Sequence, residues 1–304
     1  MRIATTTEEF QKFYNTHLEK VKALAEIGFR YIDMSFYVSD NENSELMSDN
    51  WMDKIEELKE YGNKNGISFV QAHLPGGNFL DPSANYDIIL EANKRSLIAC
   101  GILGIKNAVL HAGFLKEIGK EEFYKRNRDY INLLLPLIEK YDINLCIENS
   151  CRVNMGNRFY FFSGKELREF LDYIDHPNVT ACWDTGHANI EGNQYDDIIA
   201  LGDKLTALHI NDNNGEKDQH ILPYMGTMNV DEVMSALLKI NYNGYFTFET
   251  SNTVFFHKGW PYKRKDFEQC KRVCDPDIEI KKIFIKAELS IGKKILSAYD
   301  CYEE

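Results

Sequence analysis

The chain has 304 residues, 44% of them hydrophobic, enough to bury a large core and too many for a typical single β-sandwich. Its 35 basic residues stand against 47 acidic ones, a net charge of −12, so the surface repels phosphate backbones and nucleic acid is not the expected partner. Seven cysteines without a CxxC pair, an N-terminus (MRIATTTEEF) without signal-peptide layout and no apolar run of membrane-spanning length predict a reduced, soluble, cytoplasmic protein with no membrane partner.

In chain order, short β-rich apolar runs alternate with helical stretches, the rhythm of a parallel sheet. The predicted strands are RIATT (2–6), YIDMSF (31–36), SFVQAH (68–73), NAVLH (107–111), NLCIE (144–148), TACWD (180–184), TALHI (206–210) and YFTFE (245–249). Several are apolar throughout, as strands covered on both faces should be. Between them, WMDKIEELKEYG places Met52, Ile55, Leu58 and Tyr61 at helical spacing, and VDEVMSALLKI does the same with Val230, Val233, Met234, Leu237 and Leu238. EEFYKRNRDYINLLLPLIEKY reads as a longer helix that Pro136 should kink or end.

Eight strands and about seven intervening helices predict an α/β fold, a (β/α)8 TIM barrel, as a single domain over residues 1–304. A doubly wound sheet is the alternative, but no glycine-rich phosphate turn follows the first strand. Residues 251–304 read as a C-terminal extension, a lid or a homo-oligomer contact. Aromatic and basic residues mix there without a period, Cys270 and Cys274 have the spacing to share a helix face and read as thiols rather than zinc ligands, and a helix, IEIKKIFIKAELSIGKKIL, follows.

The chemistry gathers at strand ends. Six runs finish on or beside a metal-competent side chain: His73, His111, Glu148, Asp184, His209 and Glu249. In a closed barrel those ends converge on one mouth, where residues distant in sequence meet. Glu148, Asp184, His209 and Glu249 make an oxygen-rich set with one imidazole, suited to one divalent ion such as Mn²⁺, Mg²⁺, Co²⁺ or Zn²⁺. His187, in DTGH, is placed to hold a second metal or a substrate hydroxyl, and Asp218 and His220 would point the same way in an extended loop. His17 and His176 read as structural residues. Trp183 and Phe248 are expected in the barrel wall.

ENS (148–150), WDTGHANI (183–190), LHINDNNGEKDQH (208–220) and FTFET (246–250) together resemble the signatures of the xylose-isomerase-like TIM-barrel superfamily. That group contains sugar isomerases, ketose 3-epimerases, inosose dehydratases and endonuclease-IV-type (family 2) apurinic endonucleases. The epimerase pattern implies Glu148, Asp184, His209 and Glu249 as ligands of a single divalent metal. Glu148 and Glu249 then serve also as acid and base, and His187 contacts substrate oxygen. His73, His111, Asp218 and His220 then contact or order the substrate. The endonuclease pattern implies three zinc ions held by all nine of these residues. The segment after His220, ILPYMGTMN, departs from the family's usual proline–glycine-rich turn, so substrate contacts there do not transfer.

The expected activity is that of a metal-dependent sugar or polyol isomerase or epimerase. In it, a metal-stabilised enediolate forms when a proton leaves the carbon next to a carbonyl. The alternatives are a trinuclear zinc phosphodiesterase and a catalytically silent metal- or sugar-binding barrel. Arg152, Arg158, Lys217 and Lys258 are the basic residues to examine for phosphate recognition, and each reads first as a surface charge.

Overall fold

The computed structural model describes residues 1–304 apart from 157–159, 258, 260–262, 266, 267 and 271. Its strands are β1 (Arg2–Thr6), β2 (Tyr31–Ser35), β3 (Ser68–His73), β4 (Asn107–Leu110), β5 (Asn144–Glu148), β6 (Val179–Asp184), β7 (Leu205–His209) and β8 (Tyr245–Phe248), each within a residue of its expected bounds. All neighbours are parallel, in the order β7-β6-β5-β4-β3-β2-β1-β8. The ring closes where the Ile210 N–H donates to Thr247 O (2.7 Å) and the Glu249 N–H to Ile210 O (3.1 Å). This is the expected TIM barrel.

Alternation along the strands decides which residues meet. Leu110, Leu145, Ile147, Ala181, Trp183 and Leu208 join the main core against the surrounding helices. Their neighbours Val109, Cys146, Cys182 and Ala207, one from each of β4 to β7, form a separate small cluster on the opposite face, towards the barrel axis. Trp183 and Phe248 are fully buried, as expected of the wall.

The helices are α1 (His17–Ile27), α2 (Trp51–Asn65), α3 (Tyr86–Leu103), α4 (Lys120–Tyr141), α5 (Arg152–Met155), α6 (Gly164–Ile174), α7 (Thr185–Glu191), α8 (Gln194–Leu201), α9 (Val230–Lys239) and α10 (Ile278–Ala298). Capping boxes at Thr16/Glu19 and Ser163/Glu166 fix the starts of α1 and α6. Two stripe assignments are corrected. Met52 and Leu238 are exposed, and Trp51 takes the inward position that Met52 was expected to fill. Pro136 does not end its helix: α4 runs through it to Tyr141. Both Pro136 and Asn132, whose carbonyl the proline ring deprives of its N–H partner, lie on the exposed face of the helix, where the freed oxygen is not forced into the core.

One expectation for the C-terminal extension is corrected, and its helix is where the sequence places it. Cys270 and Cys274 lie in irregular chain, not on a helix, and are free thiols like the other five. Residues 278–298, as α10, are docked on the flank of β1 and β8 with Ile285, Ile295 and Leu296 buried. At Gly292 that docking is so close that a Cβ would lie 2.8 Å from the Phe248 ring. No helix among the described residues is long and apolar enough to cross a membrane.

Replacing Pro136 with alanine supplies the missing N–H to α4 while adding some unfolded-chain entropy. P136A should therefore stabilise the fold by about 1–2 kcal/mol in urea unfolding, and an unchanged or lower midpoint would contradict this account of the helix.

Candidate functional site

The C-terminal ends of the strands open into a cavity of about 640 Å³. His73, His111, Glu148, His187, Asp218, His220 and Glu249 line it, while Asp184 and His209 lie fully buried at its floor. All nine residues singled out in the sequence thus converge on one place. His17 and His176 do not. His17 packs edge-on against Phe36, and burial lowers its pKa to about 3, which keeps it neutral; His176 pairs with Glu139 at 3.2 Å.

Each donor is held by its neighbours. Asp184 ends β6 and caps α7: its Oδ1 accepts the His187 N–H at 2.6 Å, and its Oδ2 accepts from Asn211 Nδ2 at 2.7 Å. Asn149 bridges the same residue, accepting the Asp184 N–H (2.7 Å) and donating to the Asp184 carbonyl (3.0 Å). His187 turns Nδ1 to the Asn149 carbonyl at 3.0 Å, which leaves Nε2 facing Asp218 Oδ2 at 3.2 Å. Asp218 is held in addition by Asn154 Nδ2 at 2.7 Å and by His220 Nε2 at 3.1 Å. The loop expectation needs one amendment: Asp218 and His220 do face the same cavity, but His220 sits in the left-handed backbone region (φ 48°) rather than in extended chain.

At the centre, Glu148 Oε1 lies 2.9 Å from His209 Nδ1, and Oε2 lies 2.7 Å from His111 Nε2 and 3.5 Å from His73 Nε2. Glu249 Oε2 reaches His209 Nδ1 at 3.5 Å and His220 Nδ1 at 3.3 Å. It therefore neither caps a helix nor pairs with a lysine. Burial by itself would raise the Glu148 carboxyl, yet His209 and His111 hold it well below the usual carboxylate range. Glu249 is likewise buried, and His209 and His220 bring it down to about 2. Burial opposes protonation of His209 and His220, but the surrounding acids overcome it, Glu249 and Glu148 at the first and Asp218 at the second, and raise both imidazoles well above their ordinary value. Asp184, buried and beside Glu148, is pushed up to about 6.

The donor set passes a geometric test for a cation. One donor atom each from Glu148, Asp184, His209 and Glu249 all lie within 4.8 Å of one another. Metal–ligand bonds of about 2.1 Å put opposed ligands about 4.2 Å apart, so one divalent ion fits with little movement. Two further groups satisfy the same criterion, His73–Glu148–His209 and Asp184–His187–His220. Three carboxylates with one imidazole form a hard, anionic pocket that favours a divalent cation over a soft thiophilic one.

Sequence reasoning missed several supporting residues. Asp33, fully buried on β2, has neither carboxylate oxygen hydrogen-bonded and lies 3.7 Å from His209 Nε2, on the far side of the ring from the donor set. An aspartate inside the apolar run YIDMSF was the available signal. Asn149 and Asn211 lay within quoted motifs but carried no assignment. Glu8 and Tyr37 also line the cavity, and no spacing in the sequence announces them. Of the four candidate phosphate-binding cations, Arg152 pairs with Glu191, Lys217 is exposed, and Arg158 and Lys258 lie outside the described residues. No lysine or arginine is among the described residues that line the cavity.

Comparison with known proteins agrees with the barrel fold. The family described as xylose isomerase-like TIM barrel matches residues 21–269. D-psicose 3-epimerase of Ruminiclostridium cellulolyticum is 24% identical over 259 residues, covering 80% of each chain. The probable endonuclease 4 of Acholeplasma laidlawii is 26% identical over 253 residues, covering 75% of this chain and 82% of that protein. Among solved structures, D-psicose 3-epimerase in the presence of D-fructose superposes with a TM-score of 0.73 at 20% identity, over 97% of this chain and 99% of the other. With two other curated relatives the match spans only about half of their length, 52% and 50%. On its matched span and its barrel, the chain belongs to the xylose isomerase-like TIM-barrel family.

Proposed function

We propose that the protein is a divalent-metal-dependent sugar isomerase, of the ketose 3-epimerase or aldose–ketose isomerase type, acting on a small uncharged sugar or polyol. The observation that carries this reading is the convergence of Glu148, Asp184, His209 and Glu249 on one ion-sized position at the cavity floor. The D-psicose 3-epimerase relationships support the same class of chemistry at family level.

Glu148, Asp184, His209 and Glu249 would hold the ion. When bound, it supplies positive charge to the carbonyl and neighbouring hydroxyl oxygens of a sugar whose carbon is losing a proton. The chain's own groups do the rest. Glu148 ends β5 and Glu249 follows β8, three strands further around the barrel, so the two carboxylates approach the substrate from different sides. One takes the proton from the carbon beside the carbonyl and later releases it to solvent; the other, supplied with a solvent proton through the imidazole that faces it, delivers that proton to the opposite face, inverting the centre. Return to the adjacent carbon gives aldose–ketose exchange instead. Both glutamates are ionised near neutral pH because facing imidazoles favour the carboxylate over the acid. His187 lines the cavity with Nδ1 fixed on Asn149, and a substrate hydroxyl meeting its Nε2 would take the place of Asp218 there. The absence of lysine and arginine from the described cavity lining favours an uncharged substrate over a sugar phosphate.

A second reading has its own support: nine acid and histidine side chains around one cavity, and the likeness to a probable endonuclease 4. A trinuclear zinc phosphodiesterase would use all nine. The acidic cavity and the net charge of −12 oppose a polyanionic substrate.

The deciding experiment incubates Mn²⁺-loaded protein with D-psicose, D-fructose, D-tagatose and L-ribulose in deuterated water. Interconversion of sugars with one solvent deuteron at the new centre is expected; cleavage of abasic DNA by the zinc-loaded protein without sugar turnover would establish the second reading. E249Q should lower kcat by about 10²–10⁴-fold with KM changed only a few-fold, and unchanged turnover would refute the acid–base scheme. Proton competition at Asp184 (about 6) and at the raised His209 gives a pH prediction. Both must be deprotonated to bind a cation, so apparent Mn²⁺ affinity should rise at least tenfold from pH 5 to pH 7 in calorimetric titrations. A flat profile would show that these groups are not ligands.

A further inference from the structure

Two charged side chains of α10 are buried as deeply as the apolar core yet do not line the cavity: Lys281 is 1% exposed and Glu288 0%. Lys281 Nζ donates to Glu9 Oε2 at 2.6 Å and to the Ser251 carbonyl at 3.2 Å. Glu9 Oε1 accepts the Thr250 N–H at 2.7 Å and the Thr250 hydroxyl at 3.1 Å. The same hydroxyl lies 2.6 Å from Glu288 Oε2. One hydroxyl proton cannot serve both carboxylates. Thr250 Oγ1 lies between the two, with the shorter contact to Glu288, whose carboxyl burial beside Glu9 pushes up to about 8. The result is a connected chain, Glu288 to Thr250 to Glu9, closed by Lys281.

This chain grips two of the segments that carry cavity residues, because neighbouring positions serve the two sides in turn. In the turn after β1, Glu8 lines the cavity and Glu9 enters the network. After β8, Glu249 faces the donor set, Thr250 enters the network, and Ser251 returns to the cavity, where its hydroxyl donates to Glu8 Oε1 at 3.3 Å. The network thus holds the backbone on the C-terminal side of Glu249, at Thr250 N and Ser251 O. A buried ion pair contributes little to stability compared with well-packed apolar residues of the same volume. Its value here is geometric.

We propose that Lys281 and Glu288 are positioning residues. Through Glu9 and Thr250 they fix the end of β8, and with it Glu249, at the separation the four-donor set requires. The C-terminal helix is then a brace for the site as well as part of the barrel wall. The inference rests on the reading of Glu249 as a metal ligand and base, and it assigns a function to a segment that lies beyond the matched family span of 21–269.

The test measures Mn²⁺ binding by calorimetry, thermal unfolding and sugar turnover for T250V, K281M, K281R and E288Q. T250V is nearly isosteric and leaves the ion pair intact, so it reports on positioning even if K281M fails to fold. T250V, and K281M where folded, should weaken Mn²⁺ binding by about tenfold and lower kcat by a similar factor, with KM nearly unchanged. K281R keeps the cation and E288Q keeps a neutral donor, so both should bind Mn²⁺ within about twofold of the wild type. Wild-type Mn²⁺ affinity in T250V, alongside a clear loss in E249Q, would overturn the brace and leave the metal-site reading standing. Wild-type Mn²⁺ affinity and turnover in E249Q would overturn both.

Discussion

Burying like charges together is costly unless something of opposite sign answers them, and four buried carboxylates, Glu148, Asp184, Asp218 and Glu249, share the barrel mouth here with the partly exposed Glu8. Coulomb repulsion in a low-dielectric cavity would push some of them to the neutral acid if they stood alone. Five imidazoles stand among them instead, and the balance of each contact decides which group carries charge. Without a cation, protons on His187, His209 and His220 supply the compensation. A divalent ion does the same more compactly and releases those protons. The rest of the molecule is arranged around keeping this cluster together.

That arrangement is layered. Strand ends bring the donors into range, because the barrel's parallel register delivers β3 to β8 to the same rim. A second set of side chains then fixes their orientation: Asn149 and Asn211 on Asp184, Asn154 on Asp218, and Asp33 facing the outer nitrogen of His209. The paired use of adjacent residues recurs. Glu8 and Glu9, and Glu249 and Thr250, send one side chain to the cavity and the next to a buried polar network, so Glu8 and Glu249 each stand one peptide from an anchor.

How far this was legible in the sequence follows from which interactions are local in sequence. The strands were legible because runs such as NLCIE and TACWD are apolar on both faces and punctuated by helices. The metal-competent strand ends were legible because barrel topology makes their convergence obligatory, so His73, His111, Glu148, Asp184, His209 and Glu249 could be placed together without coordinates. Helix faces were less so: Met52 fits the periodicity, but the neighbouring Trp51 buries more area and takes the inward position. Pro136 misled for a similar reason, since its cost depends on whether the deprived carbonyl meets water, which periodicity does not show. The network of Glu9, Thr250, Lys281 and Glu288 was invisible. Its partners are separated by up to 272 residues, and a lysine and a glutamate in a helix read as surface charges until the docking partner is known.

In the proposed function this cavity holds one catalytic divalent ion through Glu148, Asp184, His209 and Glu249. Anomalous diffraction from crystals grown with Mn²⁺, and separately with Zn²⁺, tests it most directly. One fully occupied site is expected with each metal, bonded to those four side chains, while His187, Asp218 and His220 are left for substrate. Three zinc ions spread over all nine residues, or no peak at the four-donor position, would contradict it.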